Sequence, residues 1–303
     1  MDNASACIVC GGRTEGTVLF GAAEWRVVKC GGCGLVRQWP PLPEEQAAAI
    51  YGNIYPASAA AAGSARPAPA RKARRGLGNL RDEIADRRRP GRFLDIGCSY
   101  GELTESLAAR GWQATGIDVC AAAVEDARSR GLDCRVSSVE SYKPDAPFDA
   151  IAMNHVLEHV PDPLAALGRI GTWLAAGGAL HIRVPNVAAS PLRRRAIFVG
   201  ELKPYEHLFY YSADTMERLL RKAGFSCEIA AGGVYPLGAA INALVRTRLV
   251  ASARWQKYNY FSPSAGKSSY FAARRIYEAF LSVFNRIPMS HDREVRAVAT
   301  VER

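Results

Sequence analysis

No apolar run in this 303-residue chain is long enough to cross a bilayer; the best, Val234 to Val245, is broken by Pro236 and Gly238. The opening Met1-Asp2-Asn3-Ala4-Ser5 lacks the basic and apolar regions of a secretion signal, so the expected location is cytoplasmic. The glycine string at Gly97 and Gly101 lacks the third glycine that a dinucleotide pyrophosphate needs. The basic runs lack interleaved aromatics, which weakens a nucleic-acid reading. What remains is a chain whose 49% hydrophobic content can bury a full core plus a small appendage.

The most informative stretch is Leu94-Asp95-Ile96-Gly97-Cys98-Ser99-Tyr100-Gly101, followed by Gly116-Ile117-Asp118. An apolar strand, Arg92 to Ile96, ends at glycines and enters an amphipathic helix, Glu102 to Arg110. A second strand, Gln113 to Ile117, then delivers Asp118. Strand, Gly-x-x-x-Gly, helix, strand, Asp is the order of a doubly wound nucleoside site. Its glycines let backbone approach the ligand, and its second-strand carboxylate accepts from both ribose hydroxyls. Further along, short apolar runs alternate with helical patterns, which predicts an α/β fold with a mainly parallel sheet. Asp162-Pro163 opens a helix that Gly177-Gly178 closes after Leu174, and Ser212-Ala213-Asp214 opens another that reaches Lys222. Phe225 to Ala230 and Arg296 to Val301 read as the last strands.

The first string resembles motif I of class I S-adenosylmethionine-dependent methyltransferases, with Ser99 where that family usually has its middle glycine. Phe148 to Pro163 looks like the family's fourth strand and following loop, and Gly177 to Pro185 like its fifth strand; the resemblance covers roughly 92–231. It implies a doubly wound, mainly parallel seven-stranded sheet and S-adenosylmethionine as cofactor. It also implies cofactor contacts from Asp95, Gly97, Ser99, Gly101, Asp118 and Val119. Ser138 and Val139 would stand at the adenine edge, and Asn154 and His155 would face the methionine moiety or the reacting centre.

Cys7-x2-Cys10 and Cys30-x2-Cys33 are separated by 19 residues, a spacing that reads as a four-thiolate zinc site. Four protein ligands leave no open position, so the zinc is structural, and it crosslinks two hairpins too short to build a core. A reducing compartment argues against two disulfides. Cys98, Cys120, Cys134 and Cys227 read as ordinary small residues. The chain therefore divides into a zinc ribbon, 1–40, a helical segment and flexible linker, 41–91, and the methyltransferase domain, 92–303. Pro43 to Tyr55 reads as a short helix, Ala57 to Arg75 as low-complexity linker and Leu77 to Arg88 as a helix. Within the last domain, 232–292 is longer than a hairpin needs; it carries helical patterns and is a possible acceptor lid.

Two histidine clusters compete to handle a proton. His155-x-x-Glu158-His159 resembles the ubiquinone-type O-methyltransferases, in which a glutamate stands at the place of His155 and the trio can hold a divalent cation. Tyr205-Glu206-His207 resembles a segment of the zinc-ribbon sugar C-methyltransferases, whose Glu-His pair supports proton abstraction next to a keto group. The expected catalytic residues are His207, Glu206 and His159, and a neutral imidazole oriented by a carboxylate suits the task. With 39 basic against 29 acidic residues, the net charge is +10, concentrated in Arg66 to Arg92, Arg193 to Arg195 and the insertion. An anionic acceptor such as a sugar nucleotide, or a glycan or natural-product intermediate, fits that charge. Two readings compete with a small-molecule enzyme: an RNA methyltransferase that grips RNA with its ribbon, and a non-catalytic protein that keeps the fold to bind a ligand.

Overall fold

The computed structural model describes residues 6–12, 16–21, 26–41, 71–186, 207–231 and 294–301. The expected helix at 43–55, the run Arg193 to Arg195, Glu206 and the 232–292 insertion lie outside the described residues.

Seven strands form one sheet. In chain order they are β4 (Arg92–Ile96), β5 (Gln113–Asp118), β6 (Asp133–Val136), β7 (Phe148–Asn154), β8 (Leu174–Pro185), β10 (Phe225–Ala231) and β11 (Glu294–Val301), and their spatial order is β10-β11-β8-β7-β4-β5-β6. The pairs β4–β5, β4–β7, β5–β6 and β7–β8 are parallel; β11 runs antiparallel to both neighbours. The fold is thus the expected doubly wound sheet, and strand order reverses between β4 and β7, which opens a crevice at their carboxyl ends. A second, four-stranded sheet joins β1 (Thr17–Gly21), β2 (Arg26–Lys29), β3 (Val36–Trp39) and β9 (Phe209–Tyr210).

Alternation along the central strands builds the two faces of the core. Leu94 and Ile96 of β4, with Ile151 and Met153 of β7, face α4 (Pro163–Trp173) and α5 (Ala213–Lys222) through Leu167, Ile170, Met216 and Leu219. Phe93, Ala150 and Ala152 face the other way, onto Leu80 and Ile84 of α1 (Arg71–Arg87) and Leu103 and Leu107 of α2 (Glu102–Ala108). Between β5 and β6 runs α3 (Ala121–Ser129). The Asp162 carboxylate caps α4 by accepting from Ala165 N–H, and Ser212 and Thr215 close a reciprocal capping box on α5.

Two sequence expectations need correction. Helix α1 starts at Arg71, inside the stretch read as linker, because its arginines and alanines are good helix formers even without apolar periodicity. Gly177-Gly178 does not close a helix. α4 already ends at Trp173, and the glycines sit inside β8, where the register with β7 shifts between Phe148 and Ala150. Gly177 takes a φ of 71°, and a Cβ at Gly178 would lie 2.8 Å from the Phe148 carbonyl oxygen, so both serve a strand irregularity.

Candidate functional site

The ends of β4 and β5 converge at the crevice. Asp118 closes β5, and its carboxylate accepts from the Ser99 N–H and the Cys120 N–H, each at 2.8 Å. This pulls the loop after β4 onto the acid that ends β5. Asp95 is buried and accepts from the Thr104 hydroxyl at 3.0 Å. Burial, with the charges of Asp118 and Glu102 against the help of Thr104, pushes Asp95 up to about 7; burial likewise raises Asp118, which backbone N–H groups partly offset. Val119 is half exposed beside Asp118, whereas Val139 is buried in the main core and Ser138 bonds to Ser141.

The glycines also answer a need inside the protein. Gly97 and Gly101 take φ of 74° and 77°, but the space beside each is filled by protein. A Cβ at Gly97 would meet Val156 at 2.3 Å, and one at Gly101 would meet Leu132 at 2.8 Å. They are required by backbone conformation and by close packing of the turn against its neighbours. Ser99, in the family's middle glycine position, also takes a positive φ, of 50°.

At the end of β7, Asn154 pairs with Arg183 of β8, and the next residue, His155, turns with φ 57°. Burial opposes its charge, but Glu158 at 3.4 Å and Glu294 at 3.1 Å raise His155 to about 10. These carboxylates favour its cationic form, which neither accepts a proton nor offers a metal a lone pair. The structure instead brings His207 to Glu158 and His159: one ligand atom from each lies within 4.8 Å of the others. The rings of His159 and His207 meet edge-on at 4.7 Å. His207 and Glu158 are buried, and both Glu158 carboxylate oxygens lack a hydrogen-bond partner, although ion pairs reach one of them.

The cysteines form a second cluster. Cys7 and Cys33 sulfurs are 3.5 Å apart, Cys10 and Cys30 sulfurs 3.6 Å, and all four lie within 4.8 Å of one another. Sulfurs bound tetrahedrally to zinc at about 2.3 Å sit about 3.8 Å apart, so the set fits the ion. Gly11 N–H bonds to the Cys7 carbonyl and Gly34 N–H to that of Cys30, giving two matching knuckles. All four are free thiols, and their separations are too long for disulfide bonds.

Residues 70–228, just over half the chain, match the sequence family described as a methyltransferase domain. The chain belongs to that family. Among curated relatives of this methyltransferase, the ubiquinone biosynthesis O-methyltransferase of Xylella fastidiosa (strain 9a5c) is 32% identical over 158 residues, 48% of this chain and 64% of the relative. That of Xanthomonas campestris pv. campestris (strain B100) is 42% identical over 103 residues, 31% of this chain and 43% of the relative. The matches thus span less than two thirds of these relatives' lengths. Of the solved structures, the plantazolicin methyltransferase BpumL, crystallised with a pentazolic desmethylPZN analog and SAH, superposes with a TM-score of 0.50 at 15% identity. It covers 85% of this chain and 95% of that one, a likeness of fold.

Sequence reasoning missed two polar groups of this methyltransferase. Glu294, on the last strand, supplies the second carboxylate on His155. Glu83 of α1 reaches Arg183 at 2.9 Å and His181 at 3.4 Å, and these bonds overcome burial to hold it at about 2. The only sequence signal was charge at alternate positions, His181 and Arg183, in a strand otherwise read as apolar. Among the described residues no helix is long and apolar enough to cross a membrane.

The raised Asp95 gives a pH prediction. Its unfolded pKa is about 3.9, so folding favours the protonated carboxyl. Asp95's contribution is full below pH about 4, declines as pH rises to about 7, and is flat above. Asp95→Asn should flatten this slope in a series of thermal melts from pH 4 to 8; an unchanged slope would refute the assignment.

Proposed function

We propose that this chain is an S-adenosylmethionine-dependent methyltransferase of a small-molecule acceptor, with transfer to oxygen as the leading chemistry. The observation that carries the cofactor is the concentration of carboxylate at the strand switch point: buried Asp95 and Asp118, with Glu102 adding to the field on Asp95. Such a site favours a ligand whose sulfonium and ammonium charges draw the raised Asp95 into its ionised form. Asp118 accepts from the ribose hydroxyls, the loop Gly97 to Gly101 borders the methionine end together with Asp95, Asn154 and His155, and Val119 covers the adenine. Ser138 marks the adenine edge, while the buried Val139 supports it from the core.

Methyl transfer from a sulfonium is an in-line displacement, so the protein chiefly holds donor and acceptor in line and excludes water. An acceptor hydroxyl must also lose a proton. In this reading His207 takes it, with Glu158 facing the imidazole and His159 packed against it; Glu206 stands next in the chain. The names of the relatives support an O–H acceptor. The ribbon, the positive charge and the likeness to sugar enzymes support an anionic sugar nucleotide or a glycan.

Clustering of Glu158, His159 and His207 also supports a second role, since the three could hold one divalent cation that acidifies an acceptor hydroxyl. An imidazole bound to a cation cannot take a proton, so turnover of zinc-loaded protein with and without added Mg2+ or Mn2+ separates the two. The deciding experiment incubates the protein with methyl-labelled cofactor and fractionated cell extract, then identifies the labelled product by mass spectrometry. Label in a hydroxyl-bearing small molecule supports the reading. Label in RNA, with binding that collapses between low and moderate salt, would replace it with the nucleic-acid alternative. No cofactor binding by calorimetry would leave a non-catalytic fold.

A further inference from the structure

The turn after β4 lies across β5 and carries a thiol over to β6. Gly97 N–H and Cys98 N–H both donate to the Ile117 carbonyl, at 2.8 and 3.1 Å. One place back along β5, Gly116 pairs in register with Cys134 of β6. Gly116 has no side chain and leaves a gap in which two sulfurs meet: Cys98 Sγ lies 4.0 Å from Cys134 Sγ. A Cβ at Gly116 would stand 2.7 Å from the first sulfur and 2.9 Å from the second, so a larger residue there would push them apart. The two cysteines come from segments separated by a whole strand, and they touch because that strand is bare between them.

Both thiols are free and buried, Cys98 5% and Cys134 1% exposed, in a cluster with Val124, Ala127 and Leu132. The Cys98 thiol donates to the Cys134 sulfur; that bond lowers Cys134, against the burial that raises it, and raises Cys98. Cys134 is therefore the better nucleophile of the two. Its strand is the last of the sheet among the described residues, and Cys134 is flanked there by exposed Asp133 and Arg135. Local opening that admits a small oxidant costs less at such an edge than at an inner strand.

We propose that Cys98 and Cys134 are an oxidation site, where a peroxide makes a disulfide that distorts the turn and lowers affinity for S-adenosylmethionine. The Cys134 thiolate attacks one peroxide oxygen; the O–O bond breaks, hydroxide leaves, and Cys134 becomes a sulfenic acid. The Cys98 thiol then attacks that sulfur, so the S–S bond forms, the S–OH bond breaks and water leaves. In sum, two thiols are oxidised and one peroxide is reduced to two waters. A disulfide needs sulfurs about 2.05 Å apart, so the pair must close by about 2 Å. Cys134 is held in the β5–β6 ladder, so the turn gives way. Ser99, next to Cys98, donates its N–H to Asp118 at 2.8 Å, and closure draws that N–H off the carboxylate. The effect on affinity rests on the cofactor reading given above; the disulfide itself does not.

The test treats full-length zinc-loaded protein with hydrogen peroxide, then blocks the remaining thiols by alkylation. Mass spectrometry of the digest should show two peptides joined through Cys98 and Cys134. Calorimetry with S-adenosylhomocysteine should show affinity lowered roughly 10–100-fold, the order of one charge-assisted hydrogen bond, and restored by dithiothreitol. Cys134→Ser, with Cys134→Ala beside it in case the buried hydroxyl destabilises the fold, should bind the same before and after peroxide. A digest without the joined pair overturns the proposal, and so does a joined pair in protein of unchanged affinity. An equal loss of affinity in the Cys134 variants also overturns it, by assigning the effect to oxidation elsewhere, such as the zinc thiolates. Reduced parent protein that does not bind S-adenosylhomocysteine would overturn the cofactor reading, a failure distinct from an unjoined digest.

Discussion

His207→Ala is expected to slow turnover roughly 10²–10⁴-fold, the span seen for removal of a positioned general base. Cofactor affinity should remain, because His207 stands at the β9 edge, beyond the β4 and β5 loops that hold Asp95 and Asp118. Its ring is buried, packs on His159 at 4.7 Å and faces a carboxylate whose two oxygens make no hydrogen bond. Neighbouring His155 is the poorer base: Glu158 and Glu294 favour its protonated form. The measurement is single-turnover methyl transfer with calorimetry of the cofactor on the same preparation. A rate equal to the parent's removes His207 from the chemistry.

Asp118→Ala is expected to cost cofactor affinity roughly 10²–10⁴-fold without unfolding the domain. Two charge-assisted hydrogen bonds to ribose hydroxyls at about 1.5–3 kcal/mol each give that order. The same carboxylate accepts from Ser99 and Cys120 N–H groups, so its removal also strands two amides and lowers stability by about 1–3 kcal/mol. Calorimetry with S-adenosylhomocysteine, beside a thermal melt to confirm folding, reads both effects. Affinity within a few-fold of the parent in a folded variant would show that Asp118 serves the turn alone.

Much of this could be read before any coordinates. Arg92 to Ile96 and Phe148 to Asn154 are buried on both faces, and such strands appear in sequence as near-continuous apolar runs. The cap at Asp162 and the stop after Lys222 follow from single residues whose chemistry fits one place in a helix. The four cysteines were legible because knuckle geometry fixes their spacing. The glycines were only partly legible. Gly177-Gly178 carries the chemistry of a helix stop and also of a strand irregularity, and only pairing with Phe148 and Ala150 chooses between them. At Gly97 and Gly101 the need for glycine was visible, but its cause, Val156 and Leu132 pressing from distant segments, was not.

The sequence by itself determined the order of strands and helices, the acid that ends β5 and the thiolate centre, because each depends on residues near one another in the chain. Tertiary structure alone decided which further groups gather at Glu158. His155, three residues away, meets it at 3.4 Å but is shared with Glu294 on the last strand, while His207 arrives from beyond β8. It also decided that the ribbon ends on β9: an edge strand leaves backbone groups unpaired, and the segment after His207 was there to pair with them.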